Sequence, residues 1–570
     1  MKKVILSAMA LMAGSLVFAQ VSGDAAAPQA QQADYASGAS MPSNAVENIQ
    51  SGVENYMLVR QEGTSSSVYI DQSEGGAGVG NLIYVRQSGD VDGNEADSGE
   101  GNMADVRQAG TNNDGFVRQE GDFNEAAMVQ NAGSDNNIGY IRQGTGQNAE
   151  NNYAGLVQDG SGNSGWIQQT FDNSEALTLQ DGTNHQALTV QDANPNNSNG
   201  HDAKVEQLGD QQKSYVSQIG SDSRADVFQE GDQNYSDVKQ SGTGVNVADV
   251  DQSGSLNQSF IVSAGNGQNA TVFQDGDENA ADVGQSGAAV NNAHVVQIGN
   301  GDYANQRQTN AAGADNNALI NQGDLANALS LSELDVLYDA TNGVLDTEFG
   351  NPSPGSFNGV AYQTQNGDGN RAESHQFGDE SFIDFSPFPG IQPVGPNYSK
   401  QEQTGSGNEA LVVQNAFHGL GPFTDAIIPD GENTALQVQT GNNNSVSLIQ
   451  RDLGNDAWQI QDGEDSAMGV QIGYNNNLVT KQYQGSNFME TGQAGGELNL
   501  YAAQRGGQSF IGDQSGLFNT MEVLQVGPEG MDMFETINCD IPDPMTPMQL
   551  PEMETLTIPG IDTPELCADC

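Results

Sequence analysis

Along most of the chain, short runs in which small and aliphatic residues alternate with polar ones each close on a glutamine. These glutamines stand at Gln50, Gln61 and Gln72, at Gln108, Gln119 and Gln130, and at Gln158, Gln169, Gln180 and Gln191. The cleanest series is Gln207, Gln218, Gln229 and Gln240. Later come Gln439, Gln450 and Gln461, then Gln471, Gln482, Gln493 and Gln504, and finally Gln514 and Gln525. Most steps are 11 residues; Gln461 to Gln471 is one short, and Gln191 to Gln207 is a few long. An asparagine precedes the glutamine by six residues in most copies, as at Asn124, Asn234, Asn408 and Asn444. A small residue precedes it by four (Ala126, Ala225, Ala281, Ala410) and an aliphatic by two (Val117, Val216, Val227, Val238). A glycine follows two later (Gly121, Gly209, Gly220, Gly231, Gly276).

The asparagine, small, aliphatic and glutamine positions share parity, so on a strand they point to one face. The pattern predicts one strand, Asn-x-small-x-aliphatic-x-Gln, followed by a glycine-containing turn. Two such units close a coil of about 22 residues with their inner faces packed together. The fold class expected is all-β: a cross-β solenoid with two strands per coil and loop insertions. The intervening positions hold Asp, Glu, Arg, Lys, Ser or Tyr, which predicts a wet outer face. A helix is excluded by the period-2 pattern and by the glycines and asparagines.

Burying an amide is costly unless it is hydrogen-bonded. Stacked at the strand spacing of ~4.8 Å, identical amides donate to one neighbour and accept from the other. The expected ladder residues are Asn124 and Gln130; Gln207, Gln218, Gln229, Asn234 and Gln240; Asn279 and Gln285; and Asn444, Gln450, Asn455, Gln461, Asn476 and Gln482. Such ladders fix register, because a one-residue slip sends every amide to the surface. From Leu478 onward the size order reverses. Leu478, Met489, Leu500 and Phe510 take the position four before the glutamine, and Thr480, Thr491, Ala502 and Gly512 the position two before it. Compensation of this kind is expected of neighbours inside one packed layer.

The repeat resembles the curlin repeat of curli fibre subunits, Ser-x5-Gln-x-Gly-x-x-Asn-x-Ala-x3-Gln. Gln119, Gly121, Asn124, Ala126 and Gln130 match its second half, as do Gln274, Gly276, Asn279, Ala281 and Gln285. Ser223, Gln229, Gly231, Asn234 and Gln240 match the longer form, with Ser236 in place of Ala. The resemblance covers most of residues 46–526. It implies a cross-β solenoid, export through curli-type outer-membrane secretion machinery, and self-assembly, alone or with other curlin-like subunits, into extracellular amyloid of biofilm and adhesion. The chain departs from the family in its length, in its insertions and non-repeat tail, and in placing Asn where the family alternates Ser and Asn.

The ends carry other signals. Lys2 and Lys3, the apolar run Val4 to Val17 and the small residues before Gln20 read as a signal peptide over 1–19. The expected product is secreted, extracellular or at the bacterial cell surface, with no membrane span once that segment is removed. Residues 20–45 read as a flexible segment, 46–327 as a repeat array, 328–402 as an interrupted, inserted region, 403–526 as a second array, and 527–570 as an acidic Pro/Met-rich tail.

Charge narrows the partners. The chain has 17 Lys and Arg against 75 Asp and Glu, a formal charge of −58, which excludes nucleic acid as a partner. Only 35% of its residues are hydrophobic, too few for conventional cores in a chain of this length. No cofactor is expected. Asp-rich turns such as Asp275-Gly276-Asp277-Glu278 leave specific calcium sites open beside loose calcium binding by the acidic surface. Cys539, Cys567 and Cys570 all lie in the tail. The Cys567–Cys570 spacing suits a local or intermolecular disulfide as well as a metal or redox pair. Of the five histidines, His185 and His201 occupy the asparagine position and read as ladder substitutes; no catalytic constellation stands out, and an enzyme is not expected. The function expected is a structural subunit of curli-like fibres, with a non-polymerising adhesin or calcium-dependent surface protein as the alternative.

Overall fold

The computed structural model describes residues 44–63, 65–72, 80–88, 101–144, 149–194, 199–311, 313–323, 356–377, 397–415, 432–451 and 454–527. The segments expected to be a signal peptide and a flexible stretch (the latter but for its last two residues), most of 328–402, His418 and all but the first residue of 527–570, its three cysteines included, lie outside them. Every regular element among the described residues is a β-strand, from Ala45–Gln50 to Thr520–Val526. No helix of the described residues is long and apolar enough to cross a membrane.

The chain forms two compact units, Met1–Val205 and Glu206–Cys570, with the boundary inside the strand Asp202–Asp210. In the first unit, Glu125–Gln130 pairs in parallel with Met103–Gln108 and with Tyr153–Ser161. The strand between, Ile138–Gln143, pairs instead with Asp114–Glu120 and Ser164–Thr170. Consecutive strands therefore belong to opposite walls, and hydrogen-bonded neighbours are one full coil apart. That is a parallel β-solenoid with two strands per coil.

The second unit repeats the plan. Its register survives the insertions: Asn316–Gln322 pairs with Arg371–Phe377, and Tyr398–Thr404 with Val360–Asn366 and Thr434–Thr440, glutamine on glutamine each time. The chain leaves for its three longest insertions after Asn316–Gln322, Arg371–Phe377 and Glu409–Asn415, three successive strands of one wall.

The core is the narrow space between the walls, and its side chains are matched in size across it. In the first unit Met128 and Leu156 are fully buried. Opposite them stand glycines: a Cβ on Gly139 would lie 2.7 Å from Met128 Sδ, and one on Gly165 2.5 Å from Leu156 Cδ1. In the second unit the sizes are exchanged from Leu478 onward. Leu478 stacks on Leu500 and Thr480 on Ala502, each at most 1% exposed.

The outer face departs from the wet surface expected. In the second unit Val413, Ile449 and Val470 are buried outside the walls with Leu411, Met468, Ile472 and Ala494 packed against them. In the first, Phe116, Tyr140 and Trp166 form an outward column, with Tyr140 stacked on Trp166 at 3.8 Å between ring centroids. Parallel in-register pairing explains this. Each outward residue lies against its counterparts one coil above and below, so a column of apolar residues shields itself.

Many turns bend through two residues of positive φ. One is the glycine two after the glutamine, with φ of +113 at Gly209 and +108 at Gly231. The other immediately precedes the asparagine and need not be glycine: Gln233 and Leu256 hold φ of 57 and 59. This left-handed position costs a non-glycine residue local strain, and it went unrecognised in the sequence because no single residue type marks it.

Candidate functional site

The amide columns inside the walls are the chemically distinctive part of the molecule. In the first unit Gln108 Nε2 donates to Gln130 Oε1 at 2.7 Å, and Gln130 Nε2 to Gln158 Oε1 at 2.8 Å. In the second, one column runs from Gln207 to Gln229 (2.9 Å), Gln252 (2.8 Å) and Gln274 (2.7 Å), and continues to Gln514. The other wall carries Gln218 to Gln240 at 2.9 Å, and later Gln285, Gln308, Gln365, Gln403, Gln439, Gln461 and Gln482. Between Gln240 and Gln285 the register places Ser263. Each carboxamide also reaches across the coil. Gln119 Nε2 donates to the carbonyls of Met103 and Asn124, both at 2.8 Å, as well as to Gln143. The glutamine thus joins its own coil's two walls and the next coil.

The asparagines work differently from a simple amide stack. Asn257 N–H donates to Asn234 Oδ1 and Asn279 N–H to Asn257 Oδ1, both at 3.0 Å. Asn234 Nδ2 donates to the carbonyls of Glu230 and, one coil on, Gly254, at 2.9 and 3.0 Å. The asparagine therefore takes up turn backbone groups that a buried bend leaves without partners. Asn124, Asn444, Asn455 and Asn476 occupy the same place; direct amide-to-amide bonds occur there too, such as Asn476 Nδ2 to Asn455 Oδ1 at 2.9 Å. His185 sits in this column as well. Its N–H donates to Asn163 Oδ1, and its Nε2 is 3.1 Å from the Asp181 carbonyl, the contact an asparagine makes. His201 is likewise buried, with its N–H on Ser174 Oγ.

One ladder was missed in the sequence. In five successive coils the aliphatic position is itself glutamine: Gln306, Gln363, Gln401, Gln437 and Gln459. They form a second buried column, with Nε2 to Oε1 distances of 3.0, 2.9, 2.9 and 2.9 Å. Its signal was present as Gln-x-Gln at Gln306, Gln363, Gln401, Gln437 and Gln459, but an expectation of aliphatic residues there hid it.

Asp465 replaces asparagine in the turn column and is buried. Its Oδ1 accepts from Asn487 N and Nδ2, at 2.9 and 2.8 Å, but its Oδ2 is buried without a partner. Burial pushes its carboxyl above the usual range, against the pull of the bonds from Asn487. An asparagine there offers an N–H₂ to the turn carbonyls. Asp465→Asn is therefore expected to stabilise the protein at pH 7 by about 1–2 kcal/mol. Denaturant midpoints of the two proteins should converge as pH falls and Asp465 protonates.

Among the described residues, no group of three or more His, Cys, Asp or Glu side chains is arranged to hold a metal ion. The outer face instead gathers carboxylates. Asp226 neighbours Asp249 on the adjoining strand, and Asp251 lies beside Asp249 two residues on. Partial burial, then Asp226 and Asp251, push Asp249 up to about 6; partial burial, then Asp275, Glu230 and Asp226, push Asp251 up to about 6.

The family model of the curlin associated repeat matches residues 110–139, which span the strands Asp114–Glu120 and Glu125–Gln130 and the start of Ile138–Gln143. No curated protein matches the chain.

Proposed function

We propose that this chain, which carries the curlin associated repeat, is a structural subunit of extracellular curli-like amyloid fibres. It assembles with further copies and with other curlin-like subunits after export through curli-type secretion machinery, and it serves biofilm matrix and cell adhesion. The observation that carries this reading is the one-way sense of the glutamine ladders. In both units Nε2 donates to the Oε1 of a later coil. The first described glutamines, Gln50 and Gln61, donate onward to Gln72 and Gln87. The last, Gln514 and Gln525, accept from Gln493 and Gln504. The acceptor side of one end and the donor side of the other are complementary, so stacking head to tail continues every ladder. Parallel strands at such ends also template further strands through their unpaired backbone groups.

Charge opposes stacking, since copies of −58 repel one another. Salt screens that repulsion, and calcium is proposed to act in the same way, as a loosely held counterion. Acid acts on the fold itself. Asp249 and Asp251 hold protons more tightly folded than unfolded. Their contribution to fold stability is thus full below about pH 4, the unfolded pKa, and is lost as pH rises through about 6. Purified mature protein is expected to polymerise faster with added salt or calcium, and to have a higher denaturant midpoint at pH 5 than at pH 7.5. Sedimentation with a thioflavin-type readout checks the first, and denaturant titration the second. A chain that stays monomeric under all these conditions is not a fibre subunit.

A further inference from the structure

One wall of the first unit carries a column of arginines on its outer face. Arg60 lies beside Arg86, Arg86 beside Arg118, and Arg118 beside Arg142, on four successive parallel strands. The strand spacing brings each stem to about 4.8 Å from the next. Like charges directly opposite one another destabilise a sheet. In a chain with only 17 basic residues against 75 acidic ones, such a column needs a compensating anion.

Half of the compensation is internal. Arg60 pairs with Glu62 and Arg118 with Glu120, each two residues along its own strand. In the alternate coils those places hold Ser88 and Gly144. Arg86 and Arg142 accordingly have no ion-pair partner among the described residues, and the Nε of each is buried without an acceptor. They lie two strands apart, about 10 Å. Beside them runs the aromatic column of Tyr84, Phe116, Tyr140 and Trp166. Within it Tyr140, two residues along the strand from Arg142, stacks on Trp166.

The second unit presents the opposite charge in the same format. Asp226, Glu230, Asp249, Asp251 and Asp275 lie on three neighbouring strands of one outer face. Glu230 and Asp275 are exposed; Asp249 is open to solvent as a residue, while the neighbouring strands crowd its carboxyl.

We propose that the arginine column of one copy docks side by side against this carboxylate surface of a second copy. A second copy is favoured over a free polyanion because both surfaces are built on parallel strands and repeat at one spacing. A free arginine that meets a carboxylate in one coil is therefore followed by another two coils on, a whole multiple of the carboxylate spacing, whereas a free polyanion brings its own repeat. The contact joins two different patches, so it is heterologous and each copy of a pair keeps one patch free for a further copy. This contact uses the outer faces of the walls and does not depend on the buried ladders.

The test uses two variants of the mature chain, Arg86→Glu with Arg142→Glu, and Asp249→Lys with Asp251→Lys. Circular dichroism confirms the fold of each. In sedimentation velocity near physiological salt, the native chain is expected to associate laterally. Either variant alone should lose that association by at least about tenfold in Kd, and an equimolar mixture of the two should regain it, with fibre bundling in electron micrographs following the same order. Thioflavin-detected stacking should persist in both, which separates this contact from the ladders. The proposal is overturned if the native chain shows no lateral association, if neither variant weakens it, or if mixing fails to restore it. It is also overturned if the arginine variant loses binding to a polyuronate while pairing is untouched, since the column then recognises an anionic glycan.

Discussion

Replacing Gly220 by valine is expected to unfold the coils around it, at a cost of about 3–5 kcal/mol. Gly220 holds φ of +115, a region that L side chains rarely adopt. The strain is the smaller part. A Cβ there would lie 1.7 Å from the carbonyl oxygen of Gly242, the equivalent glycine one coil on. That oxygen is backbone in a turn pinned by asparagine, so it cannot move without opening the ladder. Gly220→Ala should therefore be nearly as damaging, because the clash begins at Cβ. Asp222, in the same turn, has φ of 59, and Asp222→Gly should leave stability unchanged or raised. Hydrogen exchange in Lys213–Gly220 and Tyr235–Gly242 measures the difference. In Gly220→Val it should accelerate at least about a hundredfold, since each 1.4 kcal/mol is a factor of ten.

The second large effect is expected at Gln401. Gln401→Leu matches the aliphatic residue that most coils carry there, and by hydrophobicity alone it should stabilise. The ladder predicts the reverse. Gln401 Nε2 donates to Gln437 Oε1 and to the Glu373 carbonyl, both at 2.9 Å, and its Oε1 accepts from Gln363. Leucine leaves buried donors and acceptors without partners on both neighbours, at about 1–3 kcal/mol each. A net loss of about 2–4 kcal/mol follows. Replacing Gln306, Gln363, Gln401, Gln437 and Gln459 together by valine should restore most of it, because no half-satisfied amide remains. Calorimetry of the single and fivefold variants distinguishes this from a simple packing effect.

These residues also show what the sequence discloses. The spacing of Gln207, Gln218, Gln229 and Gln240 was sufficient to predict the two-walled coil, because alternation and glycine turns are local signals. Leu478 with Thr480 revealed packing across the core, because volume compensation survives in the sequence. The Gln401 column was less legible. A polar residue at an apolar position carries no mark of its partners until the register places Gln363 and Gln437 against it. The apolar outer patch at Val413, Ile449 and Val470 was hidden for the same reason. Each is a lone hydrophobic residue at an outward position, and only stacking across coils makes it buried. The arginine column was similarly dispersed, since Arg60, Arg86, Arg118 and Arg142 are far apart along the chain and neighbours only in space.

The proposed function stands or falls on whether the ladders extend from one copy to the next. X-ray diffraction from aligned fibres of the purified mature chain tests that most directly. Continued ladders give a meridional reflection near 4.8 Å, parallel to the fibre axis, with an equatorial reflection near 10 Å from the two walls. Contradiction would come from a chain that yields only soluble monomer at every salt, calcium and pH condition, or from aggregates whose 4.8 Å spacing does not lie along the fibre axis.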